Sequence, residues 1–535
     1  MVLVGRRAPR LVLSAAVAAV VAVAAFGGAS SQAKSVANQP LVIDTSFVLQ
    51  GLDPETYHTP TQLLADKAMY DTLLTTVNNG PPVPSLAAKW SASKNAETFS
   101  FTLRKNVRFA NGRQLTSADV VFSFERLAHL GVANSGLLNG ITVAAKGPYG
   151  VVLTSAAPDP ALPEILTTPP LAIVNSKLVL QNGGNDSTSA ATTDHAGGFF
   201  NTESAGSGPY VLSSYTANGQ VTLTANPLYW GPKPTFKTVV IRNMLAPVQL
   251  LNVQRGTDEV AIDLSNQQAS TLKGNKKLAV HIGPSPNIFF IGMNMSASAS
   301  PVAANPKIQQ AVRLGINYAA LLHIAGPGSV RSAGLIPSGV LGALPSSAAT
   351  KMNLTQAKAD VKASGIANPT MALSYPSGLT INGVDFATIA QSVQASLAQI
   401  GITITLQALP VVTFLTDASA GKLDMLGVYT TINYPDPSSI LKFLPGPAST
   451  NAQASDVNWT TGADPTIQNL AIQASSTLNR AQRGKLFQKV GRLLDTSGPW
   501  VSFFQSAQAI VGSSNLTNLV LNPAWGLNVA AVGSK

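Results

Sequence analysis

Residues 84–126 carry the pattern that decides the fold, and they read PSLAAKWSASKNAETFSFTLRKNVRFANGRQLTSADVVFSFER. The segment TFSFTL at 98–103 alternates apolar side chains with hydroxyls, which is the period of a strand with one buried face. Asn111 and Gly112 predict a turn. Thr116 and Asp119 then form the two ends of a capping box, which predicts an amphipathic helix reaching about His129. The stretch therefore predicts a strand, a turn and a helix that pack through aromatic side chains: Trp90, Phe99, Phe101, Phe109, Phe122 and Phe124.

The remaining chain alternates between strand and helix patterns. Residues 41–47 predict an opening strand, and residues 288–293 form a continuous apolar strand candidate. Helices at 354–365 and 384–400 each lead directly into a strand, which indicates βαβ units and a mainly parallel sheet. Residues 181–207 are rich in Gly, Ser, Thr and Asn and predict a surface loop or a segment boundary. A chain of 535 residues is too long for one hydrophobic core, so we expect two or more lobes in an α/β protein.

Composition narrows the class of protein. The chain is 45% hydrophobic and only 11% charged, with a formal net charge of +11. Its basic residues do not gather into a patch with interleaved aromatics, so we expect no nucleic-acid partner. The chain has no cysteine, which excludes disulfides, thiolate chemistry and a lipid-modified cysteine anchor.

The N-terminus has the features of an export signal. Arg6, Arg7 and Arg10 precede an apolar stretch at 11–26, and small residues follow to Ala33. The apolar stretch is shorter than the roughly 20 residues that span a bilayer core. We expect a signal peptide at 1–33 and a mature protein that is periplasmic or at the extracellular face of the membrane, without a lipid anchor.

The sequence offers no catalytic constellation. The five histidines are scattered, and the motifs of zinc proteases, serine hydrolases, P-loop enzymes and dinucleotide-binding enzymes are missing. We therefore expect no enzyme activity, no cofactor and no metal site.

The signature stretch resembles that of the family 5 solute-binding proteins, the extracellular receptors of oligopeptide and dipeptide ABC importers. Further similar blocks follow in the family's order: residues 70–74, 206–210, 226–230, 312–321, 434–437 and 480–494. The resemblance covers nearly everything from Leu41 to about Gln508.

The resemblance implies a periplasmic-binding-protein-like clamp of type II, with two lobes and an additional inserted subdomain. Lobe I would be discontinuous, built from 34–74, 206–283 and 505–535, with the subdomain inserted at 75–205. Lobe II would span 284–504. Hinge closure would bury a small solute, by default a peptide, and a monomeric receptor would present it to an ABC permease in the membrane.

The resemblance also implies candidate ligand-binding residues. In many peptide-binding members an aspartate in the cleft loop pairs with the ligand's α-ammonium group, and here that position holds Asn433. Either Asp436 or another acidic residue such as Asp424 supplies the charge, or the ligand has no free amine. Tyr434, Tyr429 and Trp459 are the further candidates for lining the cleft.

Three alternatives remain open from the sequence. The same fold binds a non-peptide or amine-blocked solute such as an oligosaccharide, or it serves ligand sensing or a chaperone role without import. Adjacent permease and ATPase genes would favour import. A hydrolase is the last alternative, tested by searching for products after incubation with peptides.

Overall fold

In the computed structural model, the signature stretch forms two antiparallel strands, Ala87–Ala92 and Thr98–Leu103, followed by the helix Ser117–His129. The backbone N–H of Thr116 donates to the Asp119 carboxylate at 2.9 Å, which confirms the predicted capping box. The alternating pattern of the second strand buries one face against this helix, so the local prediction is correct.

The structure describes residues 39–46, 49–56, 59–77, 80–255, 259–432, 434–445, 453–460, 463–522 and 525–535. The predicted signal peptide and Asn433 lie outside the described residues. The described strands are β1 (Leu41–Thr45), β2 (Leu74–Thr76), β3 (Pro82–Pro84), β4 (Ala87–Ala92), β5 (Thr98–Leu103), β6 (Ile141–Ala145), β7 (Gly150–Ser155), β8 (Tyr210–Thr216), β9 (Gln220–Ala225), β10 (Thr238–Asn243), β11 (Glu259–Ala261), β12 (Leu278–Met293), β13 (Val330–Arg331), β14 (Thr370–Pro376), β15 (Thr380–Ile381), β16 (Val384–Asp385), β17 (Thr403–Leu409), β18 (Met425–Thr430), β19 (Trp500–Ser513), β20 (Leu516–Thr517), β21 (Leu521–Asn522), β22 (Gly526–Leu527) and β23 (Gly533–Ser534).

The described α-helices are α1 (Pro60–Met69), α2 (Ser117–His129), α3 (Leu162–Ile165), α4 (Ser176–Gln181), α5 (Ala190–Thr193), α6 (Gly197–Phe200), α7 (Ala246–Arg255), α8 (Asn266–Thr271), α9 (Pro306–Gly315), α10 (Tyr318–Ala325), α11 (Leu354–Ala363), α12 (Phe386–Ala398), α13 (Val411–Ser419), α14 (Pro465–Ser476) and α15 (Arg480–Thr496). A 3-10 helix at Pro437–Phe443 matters for the site. Among the described helices, none has both the length and the apolar composition needed to cross a bilayer.

One large sheet runs through both lobes in the order β17-β14-β18-β12-β19-β11-β1-β10-β9-β8. Parallel pairs join β14 to β17 and β18, and β1 to β10 and β11. The other pairs along this path are antiparallel, because β12 and β19 run in opposite directions and β8 to β10 form meanders. The prediction of a mainly parallel sheet is therefore wrong for the sheet as a whole, although the βαβ units of lobe II are present.

Two long strands join the lobes. The first half of β12 pairs with β19 at Leu278–Pro284, and its second half pairs again from Ile288. Between these regions the register shifts at a segment that contains Pro284 and Pro286. Proline lacks the N–H that a ladder needs, so the pairing is interrupted there. The predicted boundary between lobe I and lobe II, at 283/284, falls in this interruption.

Lobe II is covered on both faces of its sheet. In β12, Phe289, Ile291 and Met293 enter one hydrophobic core, whereas Ile288 and Phe290 enter the core on the opposite face. Successive strand residues point to opposite faces, so two covered faces require the continuous apolar run seen in the sequence.

The inserted subdomain is fixed to lobe I by helix α2. Phe124 packs in the subdomain core, whereas Phe122 packs in the core of lobe I. Arg126, which is fully buried, pairs with Asp53 at 2.7 Å and with Asp194 at 2.7 Å. Glu55 is the third carboxylate around this guanidinium, at 2.9 Å. A fully paired buried guanidinium ties three segments of the chain together.

The prediction of a surface loop at 181–207 is wrong, as the ion pair between Asp194 and the buried Arg126 indicates. This region contains α5 and α6, and Ala196 and Phe200 are buried in the core of lobe I. A few apolar residues dock on the lobe, and the surrounding polar residues conceal them in the sequence. The domain boundaries predicted from the sequence stay a prediction.

Candidate ligand-binding site

A cavity of about 120 Å³ lies between the two lobes, beside the crossing of β12 and β19. Lobe I contributes the start of α1 and the C-terminal segment, and lobe II contributes the β15–β16 hairpin and the end of β18. Ligands of open α/β sheets bind at the carboxyl ends of parallel strands, and β18 ends at this position. We call this space the interlobe cavity; its lining consists of Pro60, Leu63, Pro286, Asn287, Ile381, Asn382, Tyr429, Thr431, Ile432, Gln508, Asn522, Trp525 and Gly526.

A two-residue turn positions Asn382 in the interlobe cavity. Asn382 and Gly383 have φ angles of 51° and 75°, which is the backbone of an Asn-Gly hairpin turn. The Asn382 amide donates to the Ser285 and Ser506 hydroxyls at 2.8 and 2.9 Å. Ser285 belongs to the interrupted segment of β12, and Ser506 lies opposite on β19. The hairpin of lobe II is therefore hydrogen-bonded to the strands that connect the lobes.

Trp525 supplies an aromatic wall from lobe I. It is only 3% exposed, and its indole N–H has no hydrogen-bond partner among the described residues. The Lys67 ammonium lies 5.0 Å from the centroid of this ring, and burial lowers the pKa of Lys67 while Asp71 opposes that shift. A buried N–H donor without a partner is costly, and a ligand acceptor would satisfy it.

The described lining of the interlobe cavity carries no charged side chain. It offers hydroxyls at Tyr429 and Thr431, apolar or aromatic surface, and four amides, at Asn287, Asn382, Gln508 and Asn522. Such a lining recognises a ligand through neutral hydrogen bonds and apolar contact, with no counter-ion for a charged group.

Among the predicted site residues that the structure describes, only Tyr429 lines the interlobe cavity. Its ring centroid lies 6.1 Å from that of Phe289 and 6.2 Å from that of Phe386, and burial raises its pKa. These contacts fix the tyrosine against the core of lobe II. Asn433 follows Ile432 in the sequence and lies outside the described residues.

Tyr434 lies on the far side of the same loop. Its ring packs against the core of the inserted subdomain, and its hydroxyl lies 3.2 Å from that of Ser438. Burial raises the pKa of Tyr434. It lines a separate polar cavity of about 230 Å³ between the inserted subdomain and lobe II.

Asp436 and Trp459 contact other residues of the protein interior and do not line the interlobe cavity. The Asp436 carboxylate is 1% exposed and accepts two hydrogen bonds from Arg483 at 2.6 and 2.7 Å. It also accepts from the backbone N–H of Ser438, at the start of the 3-10 helix. Trp459 is 3% exposed within a core of lobe II.

Sequence reasoning missed Asn382 and Trp525. The Asn-Gly pair after Ile381 is typical of a hairpin turn. The predicted helix at 384–400 begins directly after this pair and leaves no room for the second strand of the hairpin. Trp525 lies beyond the blocks that resemble the family, so no local pattern singled it out. Only the return of the C-terminal segment to α1 brings this tryptophan to the interlobe cavity.

A cavity that is lined by residues of both predicted lobes, beside the long strands β12 and β19, is the arrangement expected of a solute-binding protein. The sequence profile described as bacterial extracellular solute-binding proteins, family 5 middle, matches residues 81–452. The chain belongs to this family, which consists of binding proteins and not of enzymes.

Individual relatives are distant in sequence. The chain is 24% identical over 446 residues to the probable D,D-dipeptide-binding periplasmic protein DdpA of Escherichia coli, covering 82% of each chain. The periplasmic binding protein DppA from Helicobacter pylori, solved with the peptide STSA, has a TM-score of 0.76 at 19% identity, covering 93% of this chain and 98% of that one. AgaA from A. tumefaciens R10, solved with agropinic acid, has a TM-score of 0.75 at 20% identity, covering 93% and 99%. These structural matches confirm the predicted fold class.

Proposed function

We propose that the protein binds a short peptide in the interlobe cavity and presents it to an ABC permease. The observation that carries this proposal is the cavity lining, which combines neutral amides, the hydroxyls of Thr431 and Tyr429, and the unpartnered N–H of Trp525. Peptide backbones supply alternating donors and acceptors that match such a lining. The names of DdpA and of the solved DppA complex, which refer to a dipeptide and a peptide, support this ligand class.

We further propose that the ligand's α-amine is not paired with a carboxylate. Asp436 is fully engaged by Arg483, and Asp424 precedes β18 at the end opposite to the interlobe cavity. There the Asp424 carboxylate accepts the backbone N–H of Ala372 at 3.0 Å. Neither acid reaches the described lining, so recognition rests on the peptide groups and side chains.

The test is isothermal titration calorimetry, in which ligand-free protein is titrated with matched peptides. Ala-Ala-Ala and its N-acetylated form are expected to bind within about threefold of each other, because no charge-assisted bond is lost. A loss of binding after acetylation would overturn the neutral amine site. Absence of heat with every peptide in the pool would overturn peptide binding itself.

A pair of variants tests the cavity directly. Trp525→Phe keeps an aromatic side chain, although a smaller one, and removes the N–H donor; we expect peptide affinity to fall by about fivefold, equivalent to about 1 kcal/mol. Trp90→Phe is the matched control, because Trp90 stacks on Phe101 in the inserted subdomain, away from this cavity. Equal affinities for both variants would remove Trp525 from the site.

A second candidate is a non-peptide polar solute. The uncharged lining favours it, and the relative AgaA was solved with agropinic acid. Titration with neutral oligosaccharides and opine-type acids beside the peptides separates the two candidates.

A further inference from the structure

A second cavity of about 390 Å³ lies within lobe II, and Tyr429 lines both this cavity and the interlobe cavity. We call it the lobe II cavity. It is bounded by the end of β18, by α13 and by the aromatic cluster below β12; its lining consists of Phe290, Phe414, Leu415, Thr416, Ala418, Ser419, Leu426, Val428, Tyr429, Phe443, Gln453, Asp456 and Trp500.

The aromatic part of this lining is rigid. The ring centroids of Phe290, Phe443 and Trp500 lie 5.3 to 5.5 Å apart in edge-to-face arrangements. The indole N–H of Trp500 donates to the Phe443 carbonyl at 3.0 Å. A cavity of about 150 Å³ with such walls accommodates one benzene ring, so the lobe II cavity has room for a larger group.

The mouth of the cavity also carries apolar surface. Helix α13 begins directly after β17, whose last residue pairs with the end of β14, so the first turn of α13 lies at the carboxyl edge of the sheet. On this helix Val412 is 77% exposed and Leu415 is 58% exposed. Exposed apolar surface beside a binding cavity favours an apolar occupant.

Polar groups of the lining add chemical detail, and they include the carboxylate of Asp456. The side-chain oxygen of Gln453 is buried and has no hydrogen-bond partner among the described residues. This oxygen is an acceptor, so it matches an occupant that combines a ring with an N–H donor.

We propose that the lobe II cavity is a specificity pocket for a bulky aromatic side chain of the bound ligand, with indole preferred. This inference rests on the proposed function, because the side chain enters from a ligand held in the interlobe cavity. The protein would then select aromatic peptides and not peptides of every composition.

The test compares Ala-X-Ala peptides, with X as Ala, Leu, Phe, Trp or Lys, by calorimetry on the full chain. Burial of one aromatic side chain is expected to tighten binding between about tenfold and a hundredfold over X as Ala. The expected order is Trp, then Phe, then Leu, then Ala. Equal affinities across the series, or a preference for Lys, would overturn the pocket while leaving peptide binding intact. If no member binds, the proposed function fails instead.

A matched pair of variants tests whether the preference for aromatic side chains arises in the lobe II cavity. Thr416→Trp places a large side chain at the mouth of the lobe II cavity, and it is expected to abolish the preference for Trp and Phe while Ala-Ala-Ala still binds. Thr413→Trp is the control, since Thr413 is an exposed residue of the same helix that does not line the cavity. An unchanged preference in Thr416→Trp would overturn the assignment. Ser419→Trp provides a second variant at the same mouth.

Discussion

Asp436→Asn tests whether the shape of the cleft loop depends on an internal ion pair or whether this acid contacts the ligand. Asp436 is 1% exposed and Arg483 is 3% exposed, and two short hydrogen bonds join them. Burial lowers the pKa of Arg483, and the hydrogen bonds and charge of Asp436 more than reverse this, so the pKa is raised.

The magnitude follows from the charge that remains after the substitution. Asparagine keeps the shape of the side chain but removes the carboxylate that is hydrogen-bonded to the buried guanidinium, which then retains only the weaker charge interactions with Glu164 and Asp159. Removing one partner of a buried pair costs about 3–5 kcal/mol, and two charge-assisted hydrogen bonds account for a loss of this size. An Asp436→Asn/Arg483→Met double variant is expected to recover part of the loss, because the buried guanidinium is removed together with its partner.

Urea unfolding followed by tryptophan fluorescence measures this cost in lobe II, where Trp459 and Trp500 are buried. The matched control is Asp417→Asn. Its partner Lys422 is 65% exposed at 3.2 Å, so the control is expected to cost less than about 1 kcal/mol. Peptide affinity is expected to fall equally for free and N-acetylated peptides, because the loop between Tyr429 and Asp436 loses its anchor. The reasoning is refuted if Asp436→Asn unfolds like wild type and loses binding only to free-amine peptides.

Three further predictions concern the rest of the clamp. Arg126→Met leaves three buried carboxylates unpaired and is expected to lower the free energy of unfolding by about 3–5 kcal/mol, or to prevent folding, as measured in urea. Burial raises the pKa of Glu164 from 4.5 to about 7, so the folded chain holds this proton to a higher pH than the unfolded chain. The free energy of unfolding therefore falls as the pH rises from 4.5 to about 7. Glu164→Gln is expected to flatten this pH dependence in thermal melts. Gly383→Ala would place a Cβ 2.6 Å from the Cα of Ser265 in the other lobe, and it is expected to weaken peptide binding about tenfold. The control is Gly378→Ala, which has a similar φ of +71° but lies in open space, and it is expected to bind peptide like wild type.

The sequence predicted those features that depend on neighbouring residues. The capping box of Thr116 and Asp119 is three residues long, and the alternation at 98–103 reports one buried face without knowledge of the rest of the chain. Asn305 and Asp464 likewise cap α9 and α14 through their side chains, as the Asn-Pro and Asp-Pro pairs suggest. Patterns of this kind therefore predicted several of the longer helices and strands of the fold.

The site depends on contacts between distant parts of the chain. Arg483 lies 47 positions from Asp436, and Arg126 lies 73 positions from Asp53, so no local pattern pairs them. Trp525 reaches the interlobe cavity only because the C-terminal segment returns to lobe I. The polar composition of residues 181–207 concealed Phe200, which is buried because a neighbouring lobe covers it. Sequence reasoning could name Tyr429 from its position in the cleft loop, but not the residues opposite it.

The central claim is that the interlobe cavity holds a peptide, and a crystal structure of the protein with the tightest-binding peptide tests it most directly. The account predicts peptide density between Trp525 of lobe I and Tyr429 of lobe II, with a peptide carbonyl accepting the Trp525 indole N–H. Density for a bound peptide at any other position, with the interlobe cavity occupied only by solvent, would contradict it.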